Sequence, residues 1–162
     1  TQIAGEMGFS DDRVEDIRAA ALLHDIGKLE TSRDILYKAS KLTDHEMNEV
    51  KGHVQKGVDL LKPVSGSLRR ILPIILAHHE KFDGSGYHST RGEEIPLEAR
   101  IISVADVYDA LTSDRPYRKA VSPFAARDII LKGEGSDFDP GVVRAFEAAF
   151  QKQLLEVSEV LV

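Results

Sequence analysis

The run Ile71-Leu72-Pro73-Ile74-Ile75-Leu76-Ala77, followed at once by His78-His79, constrains the fold more than any other part of the chain. A helix covering roughly 68–79 is apolar nearly all round through this run, so it has no face for solvent and belongs at the centre of the domain. Proline is tolerated in a helix's first turn or at a kink, so Pro73 puts the regular part near residue 72. This central helix then delivers two adjacent imidazoles at its C-terminal end.

The remaining elements read as helices around it. Thr1 to Met7 reads as the end of a helix stopped by Gly8. Ser10 is a candidate N-cap, but Arg13 three positions on leaves the capping box incomplete. Val14, Ile17, Ala20, Ala21 and Leu23 or His24 have helical spacing, and that helix runs to His24-Asp25 before Gly27 breaks it. Residues 29–42 read as loop with a short helical turn. Thr43 and Glu46 form the S/T-x-x-E capping pattern. They open one helix carrying Met47, Val50, Val54, Val58 and Leu61, which stops at Lys62-Pro63. Residues 80–95 are rich in glycine and charge and read as an ordered loop. Pro96 opens a helix with Leu97, Ile101, Val104, Val107, Tyr108 and Leu111 at helical spacing. Ser122-Pro123 and Asp139-Pro140 open the last two, with Gly133-Glu134-Gly135 between them. No strand pattern, repeat or linker is visible. The expectation is an all-α fold, a helical bundle with an ordered Gly-rich loop after the central helix, in a single domain over 1–162.

Composition narrows the chemistry. A chain of 162 residues can bury one real core. The net charge of −6 excludes the basic footprint of a duplex nucleic-acid binder, so an anionic small ligand needs a local basic cluster. With no cysteine, disulfides and thiolate ligands are excluded. Any metal site must use His, Asp and Glu, which favours iron, manganese or zinc. No signal peptide is visible, and no apolar run approaches the ~20 residues of a membrane span. The chain starts at Thr1 in what reads as mid-helix, without an initiator Met, and is read as a piece of a longer protein.

His24 and Asp25 sit side by side where a helix ends. Local geometry alone points them in different directions, so they are not two ligands of one metal on that ground. An Asp can bridge two ions while a neighbouring His ligates one of them. The other donors on offer are His53, His78, His79 and Asp106. Asp106 lies in the apolar stretch RIISVADVYDAL, and a buried Asp needs a partner, either a metal or a cation such as Arg100. His45, early in a helix beside acidic residues, reads as surface.

The strings HDIGK, then His53, then HHEKFDGSGY, then IPLEARIISVADVYDALTSDRPYR together resemble the HD-GYP family of bacterial phosphodiesterases, a branch of the HD-domain metal-dependent phosphohydrolases. The resemblance runs from about Thr1 to Phe150. It implies an all-helical fold and a centre of two or three divalent ions, iron or manganese first, with zinc or nickel as alternatives. It implies His24, Asp25, His53, His78, His79 and Asp106 as ligands, with Asp25 bridging. The implied reaction is hydrolysis of cyclic di-GMP to pGpG, GMP or both, with water activated by the metal pair and Asp25 and Lys28 as the catalytic residues.

Lys28, just past Asp25, reads as a phosphate-stabilising ammonium or as a surface lysine. The loop Asp83-Gly84-Ser85-Gly86 permits positive φ and close backbone approach. The resemblance places Gly84, Gly86 and Tyr87 beside the substrate; without it the loop is an ordinary turn. Phe82 and Tyr87 are either core or a stacking face for guanine. Arg115 and Arg118, held stiffly by Pro116, suit phosphate or guanine contacts, against surface pairing to Asp109 or Asp114. The family's third "GYP" residue is His88 here, which removes a rigid φ, predicts a looser loop and offers a further titratable group. Family members also carry a further His, and some a Glu, on a helix that would precede Thr1.

The resemblance further implies a cytoplasmic setting, an upstream sensory or receiver domain and a GGDEF-type diguanylate cyclase partner. It admits a homodimer, and it implies no duplex nucleic acid and no membrane contact. Two other readings are a cyclic di-GMP sensor or partner-binding module with little or no catalysis, and a phosphohydrolase of another nucleotide.

Overall fold

The structure, a computed structural model, describes residues 1–64, 66–115 and 118–152. Among these, the elements in chain order are α1 (Gln2–Glu6), α2 (Asp11–Leu23), α3 (Arg33–Leu36), α4 (Asp44–Lys51), α5 (His53–Leu61), α6 (Leu72–Ala77), α7 (Leu97–Thr112), α8 (Pro123–Lys132) and α9 (Pro140–Gln151). Short 3₁₀ turns cover Ile26–Glu30, Lys62–Val64, Ser67–Ile71 and Gly92–Glu94. No strand occurs among the described residues beyond two isolated bridges, so the all-α expectation stands.

Local chemistry sets most boundaries. Thr43 accepts the Glu46 amide while the Glu46 carboxylate accepts the Thr43 amide, closing the capping box of α4. Ser122 accepts from the Ala125 amide with Pro123 at the first position of α8. Asp139 accepts from the Gly141 and Val142 amides and starts α9. Pro73 falls in the first turn of α6, with a 3₁₀ turn before it.

α6 packs against α2, α5 and α7. Ile71, Ile74 and Ile75 are buried there, beside Ile17 and Ala20 of α2 and Ala99, Ile101, Ile102 and Val104 of α7. α8 and α9 close the other side of α7, where the rings of Tyr108 and Phe146 meet edge to face at 5.4 Å.

Two expectations need correction. The single helix expected from Thr43 to Lys62 is two, α4 and α5, divided at Gly52. Gly52 is a poor helix residue, and the His53 ring takes the Val50 carbonyl at 2.7 Å, competing with the backbone ladder. α4 consequently buries nothing, and Met47 is 40% exposed, while α5 buries Val54, Val58 and Leu61. Arg100 does not serve Asp106. It pairs with Asp139 and donates to the Ile95 carbonyl at 2.9 Å, tying the start of α7 to the cap of α9.

Candidate metal centre

The site is built where α2, α5, α6 and α7 converge. α2 ends at Leu23, His24 caps it, and Asp25 leaves helical geometry at φ −96, ψ 5 to enter the first 3₁₀ turn. This bend corrects the expectation that His24 and Asp25 point apart, because it brings His24 Nε2 to 3.4 Å from Asp25 Oδ2. Gly27 does not break α2. It sits inside the 3₁₀ turn, where a Cβ would lie 1.9 Å from the His53 carbonyl oxygen. Only glycine lets that turn lie against α5 and carry Asp25 to within 3.3 Å of His53 Nε2.

The histidines are oriented alike. Nδ1 of His24 donates to the Ala21 carbonyl at 2.7 Å, that of His53 to Val50 at 2.7 Å, and that of His78 to Ile75 at 2.6 Å. Each bond is to the carbonyl three residues back, within the same helix for His24 and His78 and across the Gly52 break, on α4, for His53. A carbonyl can only accept, so each Nδ1 carries a proton and each Nε2 of a neutral ring presents a lone pair inward. Asp25, His53, His78 and His79 then bring donor atoms within 4.8 Å of one another. His24 and Asp106 adjoin them, with His24 Nε2 3.7 Å from Asp106 Oδ1. His53 and His78 are fully buried.

The electrostatics favour added positive charge. Burial opposes the charged form of His24, but Asp106, Asp25 and the Ala21 carbonyl outweigh it and raise its pKa to about 10. Burial also opposes the charged form of Asp25, yet His24, His53 and Lys28 together hold its carboxyl far below the usual carboxylate range. Burial, then the neighbouring His79, pushes His78 down to about 3; burial, then His53, pushes His79 down to about 4. Neutral imidazoles facing carboxylates are the donor set of a divalent cation. His24 Nε2 and Asp25 Oδ1 are buried without hydrogen-bond partners among the described residues, which also fits an ion between them.

The other candidate residues lie at graded distances from this cluster. Lys28 Nζ is 2.6 Å from Asp25 Oδ2, so its ammonium is at the site. Tyr87 lies tilted over His79 with ring centroids 4.7 Å apart, at the rim rather than in the core. Gly84 adopts φ +87. Gly86 presses on the backbone of residues 79–81, where a Cβ would lie 2.5 Å from the Glu80 Cα. The backbones of Arg115 and Arg118 exchange two hydrogen bonds, at 2.8 and 3.0 Å, and the Arg118 side chain donates to the Ala110 carbonyl of α7. Neither arginine bonds to the six His and Asp residues among the described contacts, and Asp114 is engaged by Lys119 and the Ala120 amide instead. Pro116 lies outside the described residues. Phe82 contributes backbone bonds to Asp137 and Gly92.

Glu80 escaped the sequence reading. Its carboxylate is 1% exposed and accepts from the His88 amide at 2.7 Å, His88 Nδ1 at 3.1 Å and the Thr90 amide at 3.0 Å. The loop expected to be loose after the change to His88 is therefore pinned, and His88 itself faces Glu80. The only signal for Glu80 was its place directly after His78-His79 and before the glycines. A glutamate there reads as surface.

A family model described as HD domain matches residues 1–142. The cyclic di-GMP phosphodiesterase response regulator RpfG of Xanthomonas campestris pv. campestris is 46% identical over 148 residues, covering 88% of this chain and 38% of that protein. A cyclic di-GMP phosphodiesterase of Vibrio cholerae serotype O1 is 42% identical over 146 residues, covering 86% of this chain and 30% of that protein. The chain thus spans well under half the length of these relatives. In fold it is similar to Bd1817, an HDG"Y"P protein from Bdellovibrio bacteriovorus, with a TM-score of 0.73, 17% identity, and coverage of 93% of this chain and 48% of that one. With the match to the HD-domain model over most of its length, and relatives above 40% identity that cover most of it, this chain belongs to the HD-domain family, in its HD-GYP branch.

Proposed function

We propose that this domain is a metal-dependent phosphodiesterase that hydrolyses cyclic di-GMP to pGpG, GMP or both. One observation carries the reading: four side chains from three separate segments present donor atoms within 4.8 Å of one another, the buried Nε2 atoms of His53 and His78 among them. The names of the relatives supply the substrate. Asp25, His53, His78 and His79, with His24 and Asp106, would hold two divalent ions, iron or manganese in preference to zinc or nickel, with Asp25 shared. When bound, such a pair supplies Lewis acidity toward a phosphodiester and a nucleophile from water near neutral pH.

The chain's own groups do the rest. Asp25 is held too acidic to donate a proton, so its part is charge and ligation. His24 must release its Nε2 proton before that nitrogen can ligate. Lys28 offers its ammonium to a phosphate oxygen as negative charge grows. Tyr87 offers a ring face to a guanine, and Gly84 and Gly86 let the loop backbone approach it. Arg115 and Arg118 are assigned to the outer phosphate or base edges.

Among the described residues no helix is long and apolar enough to cross a membrane. The substrate places the domain's work in the cytoplasm, under an upstream sensory or receiver domain and opposite a GGDEF-type cyclase. The test is incubation of anaerobically iron- or manganese-loaded protein with cyclic di-GMP, followed by product chromatography. Formation of pGpG or GMP is expected. Binding without turnover overturns the enzyme reading in favour of a sensor, and a preferred alternative in a cyclic-dinucleotide panel overturns the substrate.

A further inference from the structure

The Glu80 carboxylate follows directly on His78-His79, is buried, and is not part of the metal cluster. A carboxylate is rarely buried without several donors. The donors here come from the far side of the Gly-rich loop: the amides of His88 and Thr90 and the His88 ring. The bonds span eight to ten residues, so they close the loop back onto the end of α6. Gly86 makes the same closure at its other contact, lying against the 79–81 backbone with no room for a Cβ. The outer part of the loop is fixed separately, by the Asp83 amide on the Ser136 carbonyl at 2.9 Å and by Lys81 on Asp137 at 2.8 Å. Between the Gly86 contact and the His88 amide sits one residue, Tyr87. Its ring lies over His79 and edge-on to His53 at 6.4 Å.

We propose that Glu80 is a positioning residue that acts through Tyr87: by pinning the backbone at His88 and Thr90 it holds the Tyr87 ring over His79 at the mouth of the cluster, where it receives a base of the dinucleotide. The inference rests on the proposed activity for its substrate and on geometry for the rest. Glu80→Gln keeps the size of the side chain but replaces an acceptor oxygen with a donor that faces an N–H. A bound base meets Tyr87, whereas a small diester needs only the cluster.

The experiment measures kcat and KM of metal-loaded protein on cyclic di-GMP and on bis(p-nitrophenyl) phosphate. It also measures metal content and amide hydrogen exchange. Glu80→Gln is expected to raise KM for the dinucleotide by about tenfold or more, with metal content unchanged and the small-diester rate within about twofold. Tyr87→Ala is expected to raise the KM for the dinucleotide likewise, and the double variant to raise it no more than either alone. The His88 and Thr90 amides are expected to exchange more slowly than the Ser89 amide, and to lose that protection in Glu80→Gln.

Additive effects in the double variant, or equal losses on both substrates with loss of metal, overturn the proposal, since Glu80 would then only support His79. Should Glu80→Gln fail to fold, an unmoved KM in Tyr87→Ala or an unprotected His88 amide in the wild type overturns it. Wild-type protein that cleaves the small diester and no cyclic dinucleotide fails the substrate reading instead. The exchange pattern then decides the role of Glu80 by itself.

Discussion

His53 and His78 turn their Nε2 atoms toward each other at 3.5 Å, across a sequence separation of 25 residues. Both rings spend their Nδ1 protons on backbone carbonyls three residues back in the chain, Val50 for His53 and Ile75 for His78. Two lone pairs therefore meet in a fully buried space beside Asp25. That arrangement is costly for protein alone and favourable around a cation.

Asp25 touches His24, His53 and Lys28 at once, so Asp25→Ala is expected to lose metal and turnover together. Elemental analysis after dialysis, beside the hydrolysis assay, checks this. Unchanged turnover in the variant would remove Asp25 from the centre.

Lys28 is bound to Asp25 but is not itself one of the clustered metal donors. Lys28→Ala is expected to retain metal while kcat falls by about 10²-fold, the usual scale for losing one charge-stabilising donor. A full rate in this variant would return Lys28 to the surface.

Much of this was legible in the sequence because its signals are local. The apolar run of α6, the Thr43 capping box and the Ser122-Pro123 and Asp139-Pro140 starts each act within one helical turn. The six His and Asp residues stood out only as a set, with His78-His79 directly after one apolar run and Asp106 inside another, and the HD-GYP resemblance implied them as ligands. What was missed depends on distant partners. The break at Gly52 follows from a ring bonding back to Val50. Gly27 read as a helix breaker because its contact, the His53 carbonyl, is far along the chain. Arg100 was offered to Asp106 because only the fold brings Asp139 to it. Glu80 drew no reading of its own because its partners lie on the return side of a loop.

The two glycines facing each other between the first 3₁₀ turn and α5 make a graded test. A Cβ on Gly27 would lie 1.9 Å from the His53 carbonyl oxygen, and neither backbone can yield without moving Asp25 or His53. Gly27→Ala is expected to cost about 3 kcal/mol or more, at the upper end of overpacking effects. A Cβ on Gly57 would sit 3.4 Å from Gly27 N and Ile26 Cγ2, an ordinary contact, and alanine favours the helix. Gly57→Ala is expected to stay within about 1 kcal/mol of wild type. Urea unfolding of the two variants checks the order, and equal costs would mean that the turn does not press on α5.

Metal-free protein is expected to be most stable near pH 6.5 and to weaken on both sides. His78 stays neutral in the fold down to about 3 and His79 to about 4, whereas the unfolded imidazoles protonate near 6.5. Below pH 6.5 the unfolded chain binds the extra protons, so stability falls as pH falls toward those values. His24 works in the opposite sense. Its folded pKa is about 10, so its contribution is fully present below 6.5 and fades as pH rises through 10. A divalent ion bound at His24 would take the place of that proton, so metal loading is expected to remove the alkaline decline. Thermal unfolding of chelator-treated and zinc-loaded protein, from about pH 5 to about pH 9, checks both limbs. A metal-free profile that is flat above neutrality would mean that the carboxylates of Asp25 and Asp106 do not hold a proton on His24, and with it would go the case that they converge there on a cation.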